Sequence, residues 1–216
     1  MVLYKWPALD GSSFNGGTGK WSLPKHRGDD TWTPGRWRRR IKDIEPCARG
    51  YHLCREQDLL WWIGPALWEA EADGDLIEHG SASTGDSKIV VGRARLLRPV
   101  TTWTERTAQL FAADCAEQVL PIFEGAHPGD DRPRRAIAIT RAYANGAATF
   151  EELAAAMTAA STAARAAAST AAWAARAATG TAASTTAGTA AGTAARAAAW
   201  KWQHERLMAY LTGAVS

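Results

Sequence analysis

The spacing of apolar residues changes near residue 100, from a period of two to a period close to 3.6. Before that point, five segments have the short apolar or alternating runs that are typical of strands. They are residues 2–6, 35–44, 51–54, 67–72 and 88–97. In the second of these, Trp37, Arg39 and Ile41 would share one face. A short helix is predicted over 56–64.

Three helices are predicted after residue 100, and capping residues mark where each begins. A Thr-x-x-Glu capping box at 102–105 opens the first, which should run to about Glu124. Asp131 and Pro133 open a second that should end before Gly146, and another capping box at 149–152 opens the third. The first helix has an apolar face made by Leu110, Phe111, Cys115, Val119 and Ile122.

An alanine-rich tract follows, with no Leu, Ile, Val or Phe from Ala154 to Arg206. Alanine has the highest helix propensity, and a tract of this length is long enough to be helical. A break at Thr179-Gly180 predicts an antiparallel helical hairpin over about 150–212. Its small side chains would let helix backbones approach closely, either within the hairpin or between two copies in a homodimer.

The predicted fold is therefore α+β. A mostly β domain over 1–100 precedes an all-α module over 101–216 that contains the alanine-rich hairpin.

Composition adds a candidate interaction surface to this picture. The chain has eleven Trp but only four Phe and four Tyr, and a basic run lies at 36–40. Interfaces concentrate their energy in Trp and Arg, although core packing is the alternative role for these tryptophans. A formal net charge of only +3 makes nucleic acid an unlikely partner. The candidate partner-binding residues are Trp32, Arg36, Trp37, Arg38 and Arg40.

Cysteine content and hydropathy favour a cytoplasmic protein. Three Cys do not form a secreted disulfide framework, and the first residues lack the apolar run of a signal peptide. The alanine tract does not predict a membrane span, because Arg165, Arg176 and Arg196 interrupt it.

The stretch CARGYHLC, residues 47–54, combines two thiols with an imidazole. Its spacing does not match a zinc site or a redox CxxC pair, so neither a metal nor another cofactor is predicted. Gly50 instead predicts a turn into a strand, with His52 on one face. Cys115 lies at a helical core position and is interpreted as an interior residue rather than a nucleophile.

Three runs resemble chains from actinobacteria and their phages that are described as putative immunity proteins. They are ARGYHLCREQDLLWWIGPALWEAEADGDLI, KIVVGRARLLRPVTTWTERTAQLFAADCAEQVLPIFE and DDRPRRAIAITRAYANG. In such chains a small domain with a G-aromatic-H-aliphatic-C strand precedes a helical module. The resemblance implies a non-enzymatic protein that binds a protein partner, such as a toxin or defence protein, and blocks it.

An enzyme or nucleotide binder is the alternative interpretation. The order of strand, helix and strand over residues 47–72 is loosely similar to that of ADP-ribosyltransferases, which bind NAD. This similarity implies His52, Glu69 and Glu71 as candidate catalytic residues, with a glutamate stabilising the transition state. A phage factor that binds nucleic acid through the basic run is a further alternative. We expect a binding protein rather than an enzyme, because no catalytic constellation is evident.

Overall fold

The computed structural model describes residues 2–15, 17–81, 87–178 and 185–215, and only the backbone over 166–178 and 185–196. The chain separates into two compact units, here called unit 1 and unit 2. Unit 1 contains Met1–Thr104 and Leu211–Ala214, and unit 2 contains Glu105–Tyr210 and the last two residues.

Unit 1 is built from short antiparallel strands and one 3-10 helix, Glu56–Trp62. The strands are β1 (Leu3–Lys5), β2 (Lys25–Gly28), β3 (Thr31–Thr33), β4 (Tyr51–Leu53), β5 (Trp68–Ala72), β6 (Leu76–His79), β7 (Lys88–Val91) and β8 (Ala94–Pro99). They form the sheets β1-β5-β8 and β4-β7-β6 and the hairpin β2-β3.

A single backbone bridge joins the two three-stranded sheets. Tyr4 and Cys54 exchange two hydrogen bonds of 2.8 Å between their N–H and C=O groups. The strands therefore run in one continuous antiparallel order, β6-β7-β4-β1-β5-β8. β1 and β4 are far apart in sequence, and this bridge brings Lys5 close to His52. The Lys5 Nζ donates a hydrogen bond of 3.0 Å to the His52 carbonyl.

The core of unit 1 follows the period-two pattern. On β5, Ala70 is buried with Trp68 and Ala72 packed around it, while Glu69 and Glu71 lie on the other face. The strand predicted over 67–72 is therefore confirmed over Trp68–Ala72. The same core holds buried side chains from the other strands: Leu3, Trp21, Leu53, Ile89, Val91, Ala94 and Leu96.

The strand predicted over 35–44 is wrong. That segment hydrogen-bonds to β8 at every third residue, from the N–H of Gly35, Arg38 and Ile41. The acceptors are the carbonyl groups of Leu96, Ala94 and Gly92, at 2.9, 2.9 and 2.8 Å. A strand ladder advances two residues per repeat on both chains, so Trp37, Arg39 and Ile41 do not share a strand face.

Unit 2 contains four helices, counting only those in the described residues. They are α1 (Glu105–Ala126), α2 (Arg132–Ala144), α3 (Phe150–Ala178) and α4 (Thr185–Leu211). Helix α2 packs against both α1 and α3. No helix in the described residues is long and apolar enough to cross a membrane. The α+β fold class is confirmed.

A buried carboxylate connects three of these helices. Asp114 on α1 is 5% exposed and accepts hydrogen bonds from Arg206 Nε at 2.6 Å and from the Tyr210 hydroxyl at 2.7 Å, both on α4. Its other oxygen lies 2.8 Å from a guanidinium nitrogen of Arg141 on α2. Three donors on two helices therefore compensate the desolvation of one carboxylate.

The predicted helix boundaries are partly correct. The capping box at 149–152 is confirmed, because Glu152 N–H donates to Thr149 Oγ1 at 3.2 Å and Thr149 N–H donates to Glu152 at 2.7 Å. The box at 102–105 is wrong, because α1 begins only at Glu105. Residue Thr102 lies in a turn, and its hydroxyl donates to the Leu211 carbonyl at 2.7 Å instead.

The apolar face predicted for α1 is also only partly correct. Leu110 and Phe111 are buried, but Val119 and Ile122 are 47% and 76% exposed. Pro121 lies between these two residues within the helix. The hairpin of α3 and α4, and a dimer through it, stay predictions, because residues 179–184, which contain the predicted break at Thr179-Gly180, lie outside the described residues.

Candidate functional site

A cavity of about 570 Å³ in unit 1 is the main candidate site. It is lined by the ends of β1 and β4, the start of β7, the 35–44 segment and the loop that precedes Trp21. The lining includes four aromatic and three cationic side chains. The aromatic ones are Trp6, Trp21, Tyr51 and Trp62, and the cationic ones are Lys5, Arg38 and Lys88.

Each cation lies over an aromatic ring. Lys5 Nζ is 5.7 Å from the centroid of Trp21, and Lys88 Nζ is 5.1 Å from that of Trp62. The Arg38 guanidinium lies 5.8 Å from Trp21 and 5.2 Å from Tyr51. Ring faces carry negative charge, so these contacts stabilise positive charge at the cavity wall.

His52 is held in its neutral form beside these cations. Its Nε2 accepts a hydrogen bond from the Cys47 N–H at 3.2 Å, which requires that nitrogen to be unprotonated. Burial lowers the pKa of His52 from 6.5 to about 4, and the charges of Lys5, Lys88 and His79 lower it further in the same direction. The ring is therefore neutral near pH 7 with its proton on Nδ1.

This environment predicts a pH-dependent stability. Below pH 6.5 the unfolded chain gains a proton on His52 while the folded chain does not, so the free energy of unfolding should fall until pH reaches about 4. We expect a loss of about 1–2 kcal/mol, discounted for the partial exposure of the ring. Urea denaturation at pH 7 and pH 4.5, followed by Trp fluorescence, measures it.

The matched variant His52→Gln removes this titration but leaves the carboxylates unchanged. Its stability should therefore fall less between pH 7 and pH 4.5 than that of the natural chain. Identical losses in the two proteins would show that His52 is not responsible.

Two of the three thiols, those of Cys54 and Cys115, are poor nucleophiles in this structure. Burial raises the pKa of Cys54 to about 12 and that of half-buried Cys115 to about 11. Cys47 is exposed, and its Sγ lies 3.8 Å from His79 Nε2. The described residues contain no cluster of three or more His, Cys, Asp or Glu arranged to hold a metal.

The structure does not bring the three candidate catalytic residues together. Glu69 and Glu71 lie on β5, outside the described lining of the cavity that contains His52. Glu69 binds Arg98 through hydrogen bonds of 2.8 and 2.7 Å, and Glu71 binds Arg95 at 3.0 Å. Both carboxylates thus form cross-strand ion pairs with β8.

Most of the candidate partner-binding residues contact other parts of unit 1. The Trp37 ring has the guanidinium groups of Arg93 and Arg95 at 4.8 and 4.6 Å from its centroid. Arg40 forms an ion pair with Asp73, and the Trp32 ring lies 6.2 Å from that of Trp68.

The remaining two candidates differ in their surroundings. Arg36 is exposed, and its side chain forms no ion pair with the described residues. Arg38 instead lines the cavity and also donates to the Lys20 carbonyl.

Sequence reasoning missed the cationic part of the cavity. Lys5 and Lys88 each stand at one end of an apolar strand run, in LYK and KIVV. Lys88 is only 8% exposed. A lysine next to an apolar strand run was the signal that could have indicated a buried cation, since lysine is rarely buried without a role or partner.

Comparison with known proteins yields one match. No curated protein and no solved structure matches the chain. The match is to a family model and covers the end of β8, α1, α2, α3 and most of α4. Residues 98–199 match the model of the family described as Imm-5 like putative immunity protein, which confirms the resemblance to putative immunity proteins drawn from the sequence.

Proposed function

We propose that this chain is a toxin-immunity protein that acts by binding a protein partner, without catalysis. The observation that carries the proposal is the family match over residues 98–199. The state of the candidate reactive groups supports a binding role, because in unit 1 Glu69 and Glu71 are engaged in ion pairs and Cys54 is protonated, and in unit 2 Cys115 is protonated.

We place part of the contact surface on the stretch 32–40. Arg36 is the residue of this stretch with the clearest freedom to bind, because it is exposed and its side chain forms no ion pair with the described residues, while Trp37, Arg38 and Arg40 each contact another group of unit 1. The neighbouring contacts hold the backbone around Arg36 in place through hydrogen bonds from Gly35 and Arg38 to β8. A fixed backbone reduces the entropy lost when an arginine side chain binds.

The test uses the full chain and the product of the adjacent gene. Co-expression should restore growth of cells in which that product is toxic, and the two proteins should elute together at a fixed ratio. The Arg36→Ala variant should weaken the measured affinity at least tenfold, as expected for a central interface arginine.

Arg49→Ala is the matched control. Arg49 is also an exposed arginine of unit 1, and it only approaches Glu45 at 3.9 Å. Its loss should leave affinity unchanged. Failure to restore growth would overturn the immunity proposal, and restored growth without a complex would overturn the binding mechanism. Equal affinities of the two variants would show that Arg36 is outside the interface.

A further inference from the structure

The cavity in unit 1 has an unbalanced charge. Its described lining contains Lys5, Arg38 and Lys88 but no carboxylate. Asp58 is buried and lies close enough to Cys54 for its charge to raise the pKa of that thiol. It does not line the cavity, and it accepts a hydrogen bond of 3.1 Å from the Arg55 N–H. Lys88 is buried, and Lys5 and Arg38 are half-buried. Buried cations usually have an anionic partner, and none of the three forms an ion pair with the described residues.

Two buried donors in the same wall also lack an acceptor. Trp6 is 1% exposed, and its indole Nε1 has no hydrogen-bond partner in the described structure. The Nε of Arg38 is likewise buried and without an acceptor there. Both residues line the cavity. Nearly all buried N–H groups are hydrogen-bonded, so these two donors are exceptions beside the cavity, although neither nitrogen is itself exposed to it.

The size and aromatic content of the cavity constrain the ligand further. A volume of about 570 Å³ lies within the range of small-molecule sites and is much larger than an inorganic phosphate needs. The aromatic side chains Trp6, Trp21, Tyr51 and Trp62 suit a planar ring. The ligand should therefore combine an anionic group with an aromatic ring.

We propose that the cavity of unit 1 binds a nucleoside phosphate, with the phosphate oxygens near Lys5, Arg38 and Lys88 and the base against the aromatic side chains. This site goes beyond the immunity function, which rests on the family match over residues 98–199. The neutral His52 adds to the same wall a ring that carries its proton on Nδ1.

The test is titration of the full chain with the four ribonucleoside diphosphates, followed by calorimetry and by quenching of Trp fluorescence. At least one should bind with a Kd below 1 mM, which is about −4 kcal/mol. Its nucleoside and inorganic pyrophosphate, titrated separately, should each bind at least tenfold more weakly. Equal binding of pyrophosphate would overturn the role of the ring, and equal binding of the nucleoside would overturn the role of the cations.

Substitutions locate the site. Lys88→Gln and Arg38→Gln should each weaken binding at least tenfold, whereas Arg39→Gln, at an exposed neighbour outside the cavity lining, should not. Thermal denaturation of each variant separates lost binding from lost folding, and two variants are used because Lys88 is buried. No binding of any of the four diphosphates, or binding unchanged in both folded variants, would overturn the proposal. Either result leaves the growth test of immunity unaffected.

Discussion

Replacing Asp114 with Ala is expected to lower the free energy of unfolding of unit 2 by about 3 kcal/mol. The carboxylate is 5% exposed and receives Arg141, Arg206 and Tyr210 from two other helices. Its loss leaves two guanidinium groups and a phenol without their common acceptor. We expect the low end of the range known for broken buried ion pairs, because both arginine side chains are about one-third exposed. Urea denaturation followed by circular dichroism at 222 nm measures the change.

Glu117→Ala is the control for this effect. Glu117 also binds Arg141, at 2.5 Å, but its side chain is 61% exposed. Exposed ion pairs contribute little, so the variant should lose no more than about 1 kcal/mol. If the two variants lose the same stability, the burial of Asp114 is not what makes it important.

Replacing Gly50 with Ala is expected to lower the free energy of unfolding of unit 1 by about 2–5 kcal/mol. Gly50 has a φ of +137°, which residues with a side chain rarely adopt. An added Cβ would also lie 2.6 Å from Val90 Cγ1 and 3.3 Å from the Val91 carbonyl oxygen. Both residues belong to β7, which pairs with β4, so the clash would separate the strands that hold His52 in place. Thermal denaturation monitored by Trp fluorescence gives the loss.

Gly28→Ala separates the backbone strain of a positive φ from the steric clash of an added Cβ. Gly28 also has a positive φ, +101°, but nothing lies within 4 Å of an added Cβ. Its substitution should therefore cost only the backbone strain, about 1–3 kcal/mol. If Gly50→Ala costs no more than Gly28→Ala, the contact with β7 adds nothing.

The local patterns predicted elements well where neighbouring residues decide the structure. Residues 51–53 and 68–72 are strands, as predicted, and Gly146 follows α2. The prediction of a strand over 35–44 was wrong because the hydrogen bonds of that segment depend on its partner β8, which no local pattern reveals. Similarly, Thr102 bonds to a residue 109 positions away rather than to the following helix.

The candidate site could be predicted only in part. His52 was chosen from its motif, and it does line the cavity. Lys5 and Lys88 were missed because they become neighbours of His52 only through the Tyr4–Cys54 bridge and the pairing of β4 with β7. Glu69 and Glu71 were chosen from the loose similarity to ADP-ribosyltransferases, but the structure places them opposite arginines on β8. Charge complementarity between strands cannot be assigned before the strand order is known.

The membership of Leu211–Ala214 in unit 1 has a consequence for synthesis of the protein. A ribosome releases Thr102 long before it adds Leu211, whose carbonyl accepts the Thr102 hydroxyl. The nascent amino-terminal unit must therefore wait for the whole helical segment to be translated before its last contacts form. A message cut short within α4 would leave that unit incomplete as well.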